Sequence, residues 1–120
     1  MELDVVMKTN LPEGWLRVNL CDIAKISGGK RLPKGESLQD EANGYPYIRV
    51  TDMGDVSINT SNLKFVPENL APLIRAYRIY SGEIYISVAG TLGLVGLIHD
   101  ELDGGNLTEN ANRISNIKID

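Results

Sequence analysis

Alternation of apolar and polar positions is the clearest pattern along the chain, and it predicts β-strands. Residues 45–53, YPYIRVTDM, alternate in this way, with Pro46 close enough to the start for a strand to tolerate it. The alternation recurs in residues 84–88, and residues 94–98 form a further short, mostly apolar run that follows Gly93. Shorter or weaker strand patterns occur at 16–19, at 56–58 and in the terminal segment 106–119.

A helical period appears in residues 66–77, VPENLAPLIRAY. Apolar side chains fall on one predicted helix face at Leu70, Leu73, Ile74 and Tyr77. Proline is tolerated only in the first turn of a helix, so Pro72 indicates a start near Asn69 and an end near Arg78. A single helical turn is also predicted for residues 20–24, with Asn19 as its cap.

These elements predict one α+β domain over residues 11–120, preceded by a flexible lead-in at 1–10. We expect about six strands in a mostly antiparallel or mixed sheet, together with one or two short helices. Residues 28–46, rich in glycine and polar side chains, form a loop long enough to suggest a functional role. The residues assigned to the core are Trp15, Leu73, Ile74, Ile86 and Val88, with Cys21 as a small buried residue.

Charge is segregated along a chain that is acidic overall. The 120 residues carry a formal net charge of −4, which disfavours strong non-specific binding to a polyanion. Residues 25–35 nevertheless hold four cations and no acid, whereas residues 100–109 hold four acids and no cation. A local basic loop can contact phosphate on an acidic domain, although ordinary surface scatter would give the same composition.

Enzyme and membrane signatures are absent from the sequence. One histidine and one cysteine give too few donors for a zinc site of nitrogen and sulfur ligands. The glycine-rich stretch GTLGLVG, residues 90–96, lacks the lysine of a phosphate-binding loop and predicts a bend between strands. We therefore expect no metal, cofactor or catalytic residue, no membrane span and no secretory signal. The lone cysteine points to the cytoplasm.

Residue types that can read DNA collect in two polar segments and at one strand end. Lysine suits phosphate, arginine suits guanine edges, and asparagine suits adenine. The alternative roles are structural: a cross-strand acid partner for Arg49, and turn hydrogen bonds for Asn106 and Asn110. The candidate DNA-binding residues are Lys30, Arg31 and Lys34 in the loop GGKRLPKG, Arg49 and Thr51 in the strand segment, and Asn106, Asn110 and Arg113 in NLTENANR.

Several segments, in order, resemble the target-recognition domain of type I restriction-modification specificity subunits. They are LPEGWLRVNLCDIAKISGGKRLPKGE (11–36), YPYIRVTDM (45–53), NLKFVPENL (62–70), SGEIYISVAGTLGLVGLI (81–98) and NLTENANRI (106–114). The resemblance implies a strongly curved sheet and a role in recognising double-stranded DNA without catalysis. It also implies methyltransferase and restriction subunits as partners, which methylate and cleave the DNA.

The position of the last residue affects which of these partners we expect the chain to bind. The family's recognition domain normally continues beyond Asp120, into spacer helices and a second domain. We therefore expect a partial domain that binds DNA weakly by itself. The competing hypothesis is a protein-interaction module that assembles with itself, as a possible homodimer, or with a methyltransferase subunit.

Overall fold

The structure is a computed structural model that describes residues 12–118. The predicted lead-in at residues 1–10 and the last apolar residue of the predicted terminal strand, Ile119, lie outside the described range. The strands are β1 (Lys25–Gly28), β2 (Pro46–Ile48), β3 (Lys64–Phe65), β4 (Arg78–Ile79), β5 (Ile84–Ser87), β6 (Val95–Leu97), β7 (Gly105–Leu107) and β8 (Ala111–Ser115). The helical segments are α1 (Leu20–Ile23) and three 3-10 helices, Val50–Asp52, Ala71–Tyr77 and Asp100–Leu102.

The eight strands form two sheets of four. Sheet A has the order β1-β8-β5-β6, and all its pairings are antiparallel. Sheet B has the order β3-β2-β7-β4, and β2 pairs with β7 in parallel while its other pairings are antiparallel. The predicted α+β class with antiparallel and mixed pairing is confirmed, with the strands divided between two sheets.

The main core lies between the sheets. Sheet B contributes Ile48, Ile79 and Leu107 to it, and sheet A contributes Tyr85 and Ala111. Successive strand residues point to opposite faces, so Tyr47 faces away from this core. It packs into a second cluster with Val66, Leu70, Ala71 and Ile74, which covers the outer face of sheet B.

The predicted α-helix at 66–77 is wrong in type and at one position of its buried face. The segment forms a 3-10 helix over Ala71–Tyr77, with Pro72 in its first turn as expected. With three residues per turn, Ala71 and Ile74 share the buried face. Ile74 is therefore in the core as predicted, but Leu73 is 65% exposed.

Strand β5 presents the opposite face to the one assigned from its alternation. Tyr85 and Ser87 are buried, while Ile86 is half-buried and Val88 is exposed. The core assignments of Ile86 and Val88 are wrong because the Tyr85 hydroxyl finds an internal acceptor, the carbonyl of Gly54, at 2.9 Å. A satisfied hydroxyl lets the large ring occupy the interior.

The amino-terminal segment also differs from expectation. Helix α1 forms where it was predicted, with Asn19 at the cap position but without a side-chain cap bond. Residues 16–19 form no strand, and Trp15 is 70% exposed and Cys21 is exposed, so both core assignments are wrong. Among the described residues, no helix or strand packs over this segment. Strand β1, which comes after α1, was not predicted.

Candidate nucleic-acid interface

The basic loop begins at a close approach of two backbones. The Gly29 amide donates to the carbonyl of Ala111 at 3.2 Å, and the Lys30 amide donates to that of Leu107 at 2.8 Å. A Cβ on Gly29 would lie 2.1 Å from the carbonyl oxygen of Thr108, so only glycine fits here. These bonds fix the base of the loop to sheets A and B.

The carbonyl of Lys30 is held from the other side by Tyr47, whose hydroxyl donates to it at 2.9 Å. Burial raises the pKa of the Tyr47 hydroxyl, a hydrogen bond with Thr108 lowers it, and the charge of Glu109 raises it further. The phenol is protonated at neutral pH, which is the form that can donate, and the raised pKa extends that form to more alkaline pH.

The loop's three cations differ in how firmly they are held. The Nζ of Lys30 lies 5.8 Å from the ring centroid of Tyr77. The Nε of Arg31 lies 3.7 Å from a carboxylate oxygen of Glu109, and the Arg31 side chain is 76% exposed. Lys34 is exposed. An exposed ion pair contributes little, so Arg31 can exchange its carboxylate for another anion at small cost.

A cleft separates the basic loop from the second 3-10 helix. The cavity has a volume of about 310 Å³, with the loop residues 30–34 on one side and Leu73 and Ile74 on the other. Ile74 is buried, and Leu73, at 65% exposure, is open to solvent. The cleft therefore has an apolar wall opposite a cationic one.

Consecutive contacts join the basic loop to three neighbouring loops, and we call this edge of the molecule the rim (residues 28–35, 50–52, 88–94 and 108–110). Arg31 meets Glu109 in the turn between β7 and β8. The carbonyl of Asn110 in that turn accepts the amides of Val88 at 2.8 Å and Ala89 at 3.2 Å. A Cβ on Gly90 would lie 3.9 Å from Val50 in the first 3-10 helix. Five candidates are on the rim: Lys30, Arg31, Lys34, Thr51 and Asn110.

The acidic segment lies at the other end of sheet A. The rim adjoins the end of the sheet where Ser87 pairs with Ala111, since the Gly29 amide bonds the Ala111 carbonyl. The turn containing Asp100 follows β6 at the end where Leu97 pairs with Ile84. Three of the four acids in residues 100–109 therefore lie away from the rim, whereas the fourth, Glu109, is on the rim and pairs with Arg31.

Three candidates use their side chains to support the fold. Arg49 donates through Nε and Nη2 to the two carboxylate oxygens of Asp52, at 3.1 and 3.0 Å, and through Nη2 to the carbonyl of Asn62 at 2.9 Å. Asp52 also accepts the Arg49 amide at 3.0 Å, which closes the first turn of the 3-10 helix. Arg49 therefore has an acid partner, as the structural alternative expected, but that partner is the local Asp52, three residues along the chain, and not an acid on a neighbouring strand.

Asn106 and Arg113 are directed inward. Asn106 is 1% exposed and donates its amide to the carbonyl of Pro46 at 3.1 Å. Arg113 donates through Nε to the Ser27 hydroxyl at 2.7 Å, through Nη1 to the Arg78 carbonyl, and through Nη2 to the Ala76 carbonyl at 3.5 Å. In this conformation neither side chain is available to a groove.

Sequence reasoning missed the pairing of Arg78 with Tyr45. The Arg78 Cζ lies 5.8 Å from the ring centroid of Tyr45. Tyr45 precedes β2 and Arg78 begins β4, two strands that are both paired with β7. No local signal announces a contact between such distant positions, so only the sheet order reveals it.

Two absences apply to residues 12–118. No group of three or more histidine, cysteine, aspartate or glutamate side chains is arranged to hold a metal ion. No helix there has the length and apolar character needed to cross a bilayer.

Comparison with known proteins gives a family and a fold. No curated protein matches the chain in sequence. Two solved structures match it at 20% identity over 92% of its length: a chain from a study of complex assembly and conformational transition of the type I R-M system, with a TM-score of 0.65, and the HsdS subunit from Thermoanaerobacter tengcongensis, with a TM-score of 0.63. The chain spans 25% of the length of each. The family model described as the type I restriction modification DNA specificity domain matches residues 12–119, and the chain therefore belongs to that family.

Proposed function

We propose that this chain recognises double-stranded DNA as part of the specificity subunit of a type I restriction-modification system. Methyltransferase and restriction subunits would carry out methylation and cleavage, and the chain would direct them to their target. The family membership supports this assignment. The observation that carries it is the rim, where exposed cations and the polar side chains of Thr51 and Asn110 lie together, away from the acidic turn.

The rim divides naturally between two kinds of contact. Lys30, Arg31 and Lys34 would bind phosphates and set the position of the domain on the duplex. Thr51 and Asn110, which are exposed on neighbouring loops, would face base edges. Arg49, Asn106 and Arg113 would act indirectly, since their hydrogen bonds hold the loops that carry the other five.

Titration with duplex DNA at several salt concentrations tests the proposal. The 120-residue chain would be titrated against a labelled duplex pool of random sequence, between about 50 and 200 mM salt. Three phosphate contacts predict that log K falls with log salt at a slope of about −3. The variant with Lys30, Arg31 and Lys34 all replaced by glutamine should lose that slope. Binding that is absent, or insensitive to salt, would contradict a DNA-recognition role.

A second function, association with protein, is favoured by the exposed apolar side chains. Trp15 and Leu16 before α1 are largely exposed, and Ile26 and Leu97 on sheet A are partly exposed. The register aligns Ile26, Ile114, Ile84 and Leu97 in one row across that sheet, on the face opposite Tyr85. Sizing over a hundredfold range of concentration tests self-association, and Leu97→Ser should weaken any dimer formed through this face.

A further inference from the structure

Arg78 has a guanidinium that is held in place but lacks an internal acceptor. Its Nε is buried without a hydrogen-bond partner. None of the three ion pairs among the described residues includes it. The residue as a whole is half-buried, so the stem and Nε lie inside while the terminal nitrogens face solvent. A ligand cannot reach the buried Nε, but the two terminal nitrogens have no acceptor among the described residues and are the donors that a ligand could use.

The surroundings of Arg78 fix its position from three sides. The Tyr45 ring centroid lies 5.8 Å from Cζ, a distance at which a guanidinium is attracted to an aromatic face. Arg113 donates to the Arg78 carbonyl and so holds the backbone. Asn106, its register partner on β7, is 1% exposed and has a buried Oδ1 that also lacks a partner. The hydrogen bonding is therefore incomplete here, since a buried donor and a buried acceptor on neighbouring strands both lack partners.

The position of Arg78 relates it to the basic loop. It follows Tyr77, whose ring lies under the Nζ of Lys30. Tyr45 and Tyr77 both pack against the core cluster that covers the outer face of sheet B. Two cations, each on a tyrosine face, are therefore carried by one rigid part of the molecule.

We propose that Arg78 reads a guanine base through its two terminal nitrogens, an inference that rests on the proposed DNA-recognition function. A guanidinium presents a planar fork of donors, and guanine presents the acceptors O6 and N7 at matching separation in the major groove. Phosphate also accepts this fork, but the nearby lysines of the basic loop can bind phosphate as point charges, whereas they lack the planar fork that reads guanine. The neighbouring Tyr45 ring limits the orientations of the fork, which suits discrimination between bases.

The experiment begins with selection of a preferred duplex from a random-sequence library by the intact chain. Affinities are then measured for that duplex and for a scrambled one of equal composition. Arg78→Lys keeps the charge but removes the fork, and should lose about 5- to 150-fold on the selected duplex with little change on the scrambled one. Replacing the guanine by 7-deazaguanine should weaken binding of the unsubstituted chain and have no further effect on Arg78→Lys.

Controls separate failure of this inference from failure of the proposed function. Arg17→Lys makes the same chemical change in the segment before α1 and should leave discrimination unaltered. Tyr45→Leu keeps Arg78 but removes the aromatic ring beside it, and should reduce discrimination, while urea unfolding checks that each variant is folded. Equal losses on both duplexes would assign Arg78 to phosphate and overturn base reading. If the unsubstituted chain binds no duplex, the proposed function itself fails and the inference with it.

Discussion

The Nε of Arg113 on β8 donates to the hydroxyl of Ser27 on β1 at 2.7 Å, while its Nη1 donates to the Arg78 carbonyl on β4. One side chain thereby bonds two strands of sheet A to a strand of sheet B. Because β1 leads directly into the basic loop, the same bonds set where that loop starts.

Loss of this connection should destabilise the fold before it affects DNA contact. Arg113→Ala leaves the Arg78 carbonyl without its charged donor, and hydrogen bonds to charged groups contribute about 1.5–3 kcal/mol. We expect a decrease of about that size in the free energy of unfolding, measured with urea, and about 1 kcal/mol for Ser27→Ala. An Arg113→Ala variant of unchanged stability that binds DNA weakly would instead place Arg113 at the interface.

A side chain at position 29 should displace the basic loop. The Cβ of Gly29→Ala would collide with the backbone of Leu107 and Thr108, and overpacking of this kind costs about 1–3 kcal/mol. Gly28→Ala is the matched control, since its Cβ would meet only the Asn112 side chain at 3.4 Å. We expect weaker duplex binding and lower stability for Gly29→Ala alone. Equal effects at both positions would argue against the close approach.

Glu109 should compete with DNA for Arg31. Removing the carboxylate in Glu109→Gln frees the guanidinium and reduces repulsion of phosphate, so duplex affinity should rise and the salt dependence should steepen. Arg31→Ala should weaken binding to all sequences alike and flatten the slope of log K against log salt by about one unit. Fluorescence anisotropy at several salt concentrations measures both variants. An unchanged slope for Arg31→Ala would exclude a phosphate contact.

Alkaline pH should destabilise the fold partly through Tyr47. Its pKa is raised above the usual value of 10.0, mainly by burial, so the folded state favours the protonated phenol. The contribution is fully present below pH 10 and is lost as the pH rises through the folded-state pKa. Tyr85 shifts in the same direction by burial, so comparison with Tyr47→Phe isolates the Tyr47 part. Denaturant midpoints measured from pH 8 to 11 should fall less for Tyr47→Phe.

Local sequence patterns predicted the class of the fold. Contacts with residues far away in the sequence decided which face of a strand is buried and whether a weakly apolar segment forms a strand. Alternation located β5, but its buried face depends on the Gly54 carbonyl, which lies 31 residues from Tyr85. Strand β1 was missed because its four residues, Lys25–Gly28, carry only one apolar side chain. Its pairing with β8 supplies what its own sequence lacks.

The candidate DNA-binding residues also divide into those that local sequence identifies and those whose role depends on distant residues. The exposed cations of the basic loop could be found from composition alone. The inward roles of Asn106 and Arg113 depend on acceptors 60 and 86 residues away, at Pro46 and Ser27. For Arg49 a local signal existed, because Asp52 follows at the third position, where it can close a helical turn.

The basic loop and the acidic turn of residues 100–103 lie at opposite ends of sheet A. Under the proposed function, carboxylates at one end and cations at the other would act on the domain with opposite forces in the field of a polyanion, and so would turn it before contact. Duplex that approaches the acidic turn would be repelled, so the approach that presents the rim would be favoured.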